Sequence, residues 1–339
     1  MICWWKRLSA AMGLAAVLVL GGCGLDGGPR PRWGFTPKQY YGDPNNLGTH
    51  SYGYGGREGY GILYTLRGGT IDPDHLRGTA DLTRHAYLKA YAAVVNGRSR
   101  FQVGPAFELT TNTVQLTYPS DWMNRPRVER EKIAHEAAVI IAPAVAYHSS
   151  VWHEMLTWQG LRFALIEPEH ESAFSWEDLY SNALGAHLAV RAIQSGAMTV
   201  PDYNRAMTEL IRQTLQELQV VSRSQALAFL ERMRGKWFTA DKLLRRQMNV
   251  GFETGQITPC RFPGLTDQPP VSLPWPNLDG LEAHGLRAVY TLQSPYLETG
   301  ALKRRAGIQG ELEPLRHFPL IMESIKKEAR EKFGYLLEE

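Results

Sequence analysis

The apolar positions at residues 76–94 recur at the spacing of one helix face. Residues 72–74 (Asp-Pro-Asp) precede this stretch, and an acid followed by proline is typical of a first helical turn. Residues 96–97 (Asn-Gly) follow it, and this pair commonly ends a helix. The pattern therefore predicts a long helix that begins at Asp72 and stops at Asn96.

The remaining patterns predict more helices than strands. Residues 125–158 are helical in pattern throughout, and Pro143 inside them predicts a kink or two consecutive helices. Further helices are predicted at residues 175–196, 202–219, 223–235, 240–247 and 318–333, strands at 62–66 and 286–292, and a β-hairpin at 107–118. Because no βαβ alternation appears, we expect an α+β fold, a predominantly helical single domain with a small hairpin or sheet.

The first 23 residues have the character of a targeting segment. Residues 1–22 combine a basic start, an apolar run and a small-residue end, which is typical of a secretory signal. The closing Leu-Gly-Gly-Cys string resembles the lipobox of bacterial lipoproteins, which implies cleavage before Cys23 and acylation of Cys23. An ordinary signal peptide or an uncleaved anchor is the alternative. We expect a tether at residues 23–37 and one globular domain at 38–339.

The lipobox resemblance implies that the mature protein is in the bacterial cell envelope, anchored to a membrane through Cys23. If the organism has both an inner and an outer membrane, we expect the outer membrane. Loss of Lys6 and Arg7 with the signal leaves a nearly neutral chain, so we expect no nucleic acid as a partner. Cys260 then has no intrachain partner, which excludes a disulfide scaffold. With 339 residues, 44% of them hydrophobic, the chain is not disordered.

Three strings carry more polar and aromatic residues than a core needs, at residues 67–83, 147–160 and 172–182. His153 and Glu154 match the start of the zinc motif His-Glu-x-x-His, but Thr157 stands where the second histidine belongs. Ligands must therefore come from other helices. We expect His75, His153 and Glu177 as ligands of a divalent metal, zinc or manganese, and Glu154 as the general base.

Other polar residues of these strings are candidates for supporting roles. Asp81 is a second candidate base, and Arg77 or Asp81 would orient the reacting groups. Asp178, Thr157 and Asn182 would surround the ligands. Each assignment has a simpler alternative: acids at a helix start favour its dipole, a buried histidine can be part of a core, and an arginine can form a structural salt bridge.

The third string, Ser-Ala-Phe-Ser-Trp-Glu-Asp-Leu-Tyr-Ser-Asn at residues 172–182, is the most distinctive. With the His-Glu-x-x-Thr-Trp string at 153–158, it resembles a bacterial family of predicted envelope lipoproteins known only as a domain of unknown function. The resemblance extends from about residue 32 to 316. It implies a shared fold and a shared site, but it implies no activity.

Two classes of function remain open at this stage. The first is a metal-dependent hydrolase acting on an envelope substrate through an ester, amide or phosphoester bond. The second is a non-catalytic binding or scaffold lipoprotein whose aromatic-rich surface, with Tyr40, Tyr52 and Trp176, contacts an envelope glycan, peptide or protein.

Overall fold

The computed structural model describes residues 28–30, 40–53, 56–104, 109–160, 162–163, 167–168, 172–239 and 242–338. These residues form seven α-helices and several small sheets of two or three strands. The predicted class, a mostly helical α+β domain, is confirmed. The predicted signal segment and Cys23 lie outside the described residues. Within the described part of the chain, no helix is both long enough and apolar enough to cross a membrane.

Three helices pack together at the centre of the fold: α1 (Pro73–Val95), α2 (Arg127–Trp158) and α3 (Asp178–Gln194). The predicted start of α1 is confirmed, because the side chain of Asp72 accepts a hydrogen bond from the backbone of Asp74. Helix α2 continues through Pro143 as one helix, so the alternative of two helices is wrong. Gly185 lets α1 and α3 approach closely, since a Cβ there would lie 2.0 Å from the carbonyl oxygen of Leu76.

The outer helices and the strands surround these three helices. The helices are α4 (Val200–Glu217), α5 (Arg223–Met233), α6 (Leu297–Arg305) and α7 (Pro314–Glu331). The first six strands are β1 (Leu63–Thr65), β2 (Gly69–Ile71), β3 (Arg100–Val103), β4 (Thr111–Thr117), β5 (Arg162–Phe163) and β6 (Glu167–Pro168). The other five are β7 (Arg245–Gln247), β8 (Gln256–Ile257), β9 (Leu273–Pro274), β10 (Arg287–Gln293) and β11 (Leu336–Glu338).

Two local predictions are wrong. Of the residues predicted as a hairpin, 107 and 108 lie outside the described part of the chain, and 111–117 form the single strand β4 at the centre of an antiparallel sheet ordered β10-β4-β3. The polar residues expected as the turn stand at the start of β4, where Asn112 is buried and accepts hydrogen bonds from Ser149 and Tyr290 at 3.0 and 2.6 Å. The predicted short helix near residues 240–247 contains β7, which pairs in parallel with the C-terminal β11. Helix α6 was not predicted.

The segment before β1 packs against the helices rather than extending into solvent. Tyr41 and Tyr52 are buried in it. Arg30, which falls within the predicted tether, donates from its backbone to Tyr52 and from its side chain to the carbonyl of Ser51. The guanidinium of Arg30 also pairs with Glu58. Arg30, seven positions after Cys23 in the sequence, is therefore bound to the surface of the domain.

Candidate metal centre

The ends of the three central helices meet at one place. Helices α1 and α3 begin there and α2 ends there, which brings together His75 of α1, Glu154 of α2 and Asp178 of α3. One ligand atom from each lies within 4.8 Å of the other two. Across the part of the chain that the structure describes, this is the single group of three or more metal-ligating side chains with that spacing.

His75 is oriented by the residue that caps its own helix. Its Nδ1 lies 3.1 Å from Asp72 Oδ2, and its Nε2 lies 3.7 Å from Asp178 Oδ1. Asp72 is itself fixed, because its Oδ1 accepts from the backbone of Asp74 and its own N–H donates to Ser181 Oγ. A carboxylate behind a histidine fixes the ring and raises its basicity, as is usual for metal-binding histidines.

Backbone amides hold one oxygen of each of the two carboxylates. Glu154 Oε2 accepts from the N–H of Phe174 at 2.8 Å. Asp178 Oδ2 accepts from the N–H and the hydroxyl of Ser175 at 2.7 and 2.9 Å. The spacing of Ser175 and Asp178 predicts a capping box, but α3 begins at Asp178 with Glu177 as its N-cap and no side-chain cap, so that prediction is wrong. Asp178 Oδ1 is the oxygen that faces His75.

Burial and neighbouring charges shift the pKa values of Glu154 and His75. Burial, and after it the nearby charge of Asp178, raise the pKa of Glu154 to about 8, although His153, His75 and the hydrogen bond from the Phe174 backbone act to lower it. Burial alone would lower the pKa of His75, but Asp72, Asp178 and Glu154 together raise it well above its ordinary value. The carboxyl group of Glu154, which its raised pKa keeps largely protonated near neutral pH, can exchange that proton for a cation.

The donor set fits a borderline or hard divalent ion. One imidazole and two carboxylates are ligands that zinc, manganese and iron accept, and no thiolate takes part. Three protein ligands also leave a coordination position for water or substrate, as in catalytic rather than structural zinc sites. His75, Glu154 and Asp178 are therefore the residues that could hold a metal here.

Two of the predicted ligands are close by but lie outside this group. His153 is half-buried, and its charge acts on the carboxylate of Glu154. Glu177 is buried and accepts a hydrogen bond from Ser175 Oγ at 2.8 Å. Adjacent residues on a helix diverge by about 100°, so His153 and Glu154 cannot both point into one small centre.

Arg77 and Asp81 lie on another face of α1 from His75. Arg77 donates to the carbonyl oxygens of Gly59 and Leu47, both at 2.7 Å. Asp81 Oδ1 lies 2.9 Å from His50 Nε2, and both side chains are buried. These contacts fasten the segment before β1 onto the helix. The structure therefore gives Arg77 and Asp81 partners in that segment rather than at the metal centre.

The two remaining predicted residues are buried close to the ligands in sequence. Asn182 lies one helical turn after Asp178, and its Oδ1 accepts from Thr79 Oγ1 at 2.7 Å. Among the described residues, neither Asn182 Nδ2 nor Thr157 Oγ1 has a hydrogen-bond partner. Buried polar atoms without a hydrogen-bond partner are rare in folded proteins.

Sequence reasoning missed two residues of the centre. Asp72 was considered only as a helix cap, although its spacing of three residues from His75 places the two side chains on one helix face. Phe174 contributes through its backbone, at a φ of 55°, which is uncommon for a residue with a side chain. Sequence spacing signals the role of Asp72 but does not signal that of Phe174.

The fold and the centre thus define a helical α+β protein with a candidate mononuclear metal site at a junction of helix ends. Residues 37–250 match the model of DUF4056, a family described as a protein of unknown function. Because that match covers more than half of the chain, the protein belongs to this family. His75, Glu154 and Asp178 all lie within the matched residues. Comparison with curated proteins and with solved structures gives no match.

Proposed function

We propose that the protein is a lipid-anchored envelope protein that binds a divalent metal, zinc or manganese, through His75, Glu154 and Asp178. It would use the metal to hydrolyse an ester, amide or phosphoester bond of an envelope substrate. The observation that carries the proposal is the convergence of three ligand atoms, within 4.8 Å of one another, from three different helices. Lipid attachment at Cys23 rests on the Leu-Gly-Gly-Cys string alone.

The proposal changes the role that the sequence suggests for Glu154. As a ligand, Glu154 is not free to act as a base, and its neighbour His153, which points away from the centre, does not replace it in that role. A bound divalent ion supplies a water of lowered pKa and polarises the scissile bond. Asp72 holds the ring of His75 in place, and the amides of Phe174 and Ser175 hold the two carboxylates. We expect Glu177 to support the centre indirectly, through its hydrogen bond with Ser175, which in turn contacts Asp178.

Metal binding by the purified chain is the direct test. We expect one equivalent of zinc or manganese by elemental analysis and a single site by calorimetric titration. His75→Ala should abolish binding, whereas His284→Ala, which removes a partly exposed histidine paired with Glu136, should not change it. Binding below about a tenth of an equivalent, with no gain on adding either metal, would refute the proposal.

A non-catalytic binding role has weaker support. Trp176 and Tyr52, two of the three aromatic residues expected on its surface, are buried. Tyr40 and Tyr60, however, stack on each other with ring centroids 5.2 Å apart and are 39% and 63% exposed. Exposed stacked rings suit a sugar or peptide ligand. If this role is correct, Tyr60→Ser abolishes binding of envelope glycan and Glu154→Gln leaves it unchanged.

A further inference from the structure

A wholly buried arginine lies behind the candidate centre. Arg246, in β7, has no exposed surface, and its guanidinium donates to the carbonyl oxygen of Ala173. The same guanidinium lies over the ring of Tyr335, 4.5 Å from its centroid, and 6.0 Å from the ring centroid of Trp158. Burying an arginine costs free energy unless it is well paired, so this arrangement needs a reason.

The segment that Arg246 holds is the one that contacts Glu154. On one side of Phe174, its N–H donates to Glu154 Oε2 at 2.8 Å. On the other side, its carbonyl accepts from the N–H of Gln247 at 3.2 Å. Strand β7 thus contacts Ala173 through a side chain and Phe174 through its backbone. Phe174 is fully buried and left-handed, with φ at 55°. Such a conformation persists only where the surroundings enforce it.

We propose that Arg246 is a positioning residue for Glu154. By holding the carbonyl of Ala173, it keeps Phe174 in the left-handed conformation that directs its N–H at Glu154 Oε2. The other oxygen of that carboxylate is then the one presented to the metal. The role in metal binding rests on the proposed function, whereas the contact chain from Arg246 to Glu154 stands without it.

The chain end supports Arg246 in turn. Strand β11 pairs with β7 in parallel, with Leu337 opposite Arg246. Tyr335, just before this strand, is the buried ring under the guanidinium. Both lie beyond residue 250, where the family match ends. The C-terminal residues therefore complete a support that the matched region does not contain by itself.

Replacing Arg246 in the full chain tests this role. Arg246→Met keeps most of the side-chain length and removes the donors. Arg245→Met is the matched control, because Arg245 is the preceding residue of β7 and lies over Trp237 instead. Two quantities are measured, the manganese dissociation constant and the rate of hydrogen–deuterium exchange in a peptide spanning residues 172–176. We expect Arg246→Met to weaken manganese binding by about 10- to 100-fold and to speed exchange in that peptide.

The outcomes separate this proposal from the proposed function. Unchanged exchange in residues 172–176 of a folded Arg246→Met variant overturns the positioning role. So does faster exchange without a change in manganese affinity, provided the wild type binds manganese. If the wild type binds neither metal, the proposed function fails, and the exchange rate alone decides whether Arg246 holds Phe174. If Arg246→Met does not fold, Tyr335→Leu replaces it and is judged by the same two measurements.

Discussion

Replacing Glu154 with glutamine should make the metal-free protein more stable in alkaline solution. Glutamine has nearly the shape of glutamate, and its oxygen can still accept the hydrogen bond from Phe174. It differs in carrying no charge beside Asp178. The wild-type carboxylate must ionise as the pH rises, in a buried place next to a second acid, and this ionisation destabilises the fold.

The size of the effect follows from the pKa of Glu154. Its value is about 8 in the folded chain against an ordinary value of 4.5, and each pKa unit corresponds to about 1.4 kcal/mol. Because the folded pKa is the higher one, the stabilisation is complete below pH 4.5 and is lost as the pH rises through about 8. Between about pH 6 and pH 9 the free energy of unfolding should fall by about 3 kcal/mol.

The assay is urea unfolding of both proteins in the presence of a chelator, at several pH values from about 6 to 9. The raised pKa of His75 acts in the same direction in the wild type. The difference between wild type and Glu154→Gln is therefore the quantity to follow. It should grow by about 3 kcal/mol over this range, which corresponds to roughly 5 °C in melting temperature for a chain of this size.

With manganese bound, the wild type should become more stable than Glu154→Gln at high pH. A ligand carboxylate must lose its proton to bind, so metal stabilises the wild type more at high pH than at low pH. Glu154→Gln, without the anionic ligand, should gain little. If the two metal-free proteins lose the same stability between pH 6 and 9, Glu154 does not ionise in this range, and the raised pKa that its burial and the charge of Asp178 give it is refuted.

Three further outcomes are expected. Gly185→Ala should destabilise the fold by more than about 3 kcal/mol in urea unfolding, because its Cβ would meet the carbonyl of Leu76, whereas Gly300→Ala should change stability by less than about 1 kcal/mol. Asp72→Asn should weaken manganese binding by about 10- to 100-fold in calorimetry. Burial lowers the pKa of His148 to about 4, so stability falls below about pH 6.5, and His148→Gln should reduce that fall in acid unfolding.

The sequence allowed the candidate centre to be predicted in part, because its ligands stand at helix ends. The starts of α1 and α3 carry explicit signals, an Asp-Pro pair before His75 and a serine three residues before Asp178. Such signals fix where a side chain emerges from a helix. They do not fix its direction, and this is why Glu177 was chosen as a ligand although its neighbour Asp178 is the residue in the group.

The unpredicted parts of the fold depend on contacts between distant residues. Strand β7 has three residues and no alternating pattern, and it exists because β11, about ninety positions later, pairs with it. The first residues of β4 have the polar composition of a turn, because they are an asparagine and two threonines. Asn112 is stable inside the strand only because Ser149 and Tyr290 come from other elements to bind it. The residues next to each of these strands in the sequence do not reveal such distant partners.

The exposure of the three ligands indicates from which side a metal or substrate would reach the centre. Glu154 is 4% exposed and the side chain of Asp178 is 4% exposed, while that of His75 is 17% exposed. Carboxylates held from behind by backbone amides form the floor of the centre, and the histidine forms its rim. If a metal is bound here as proposed, a substrate would approach it past His75, the most exposed of the three residues that would hold it, while backbone amides keep Glu154 and Asp178 in place.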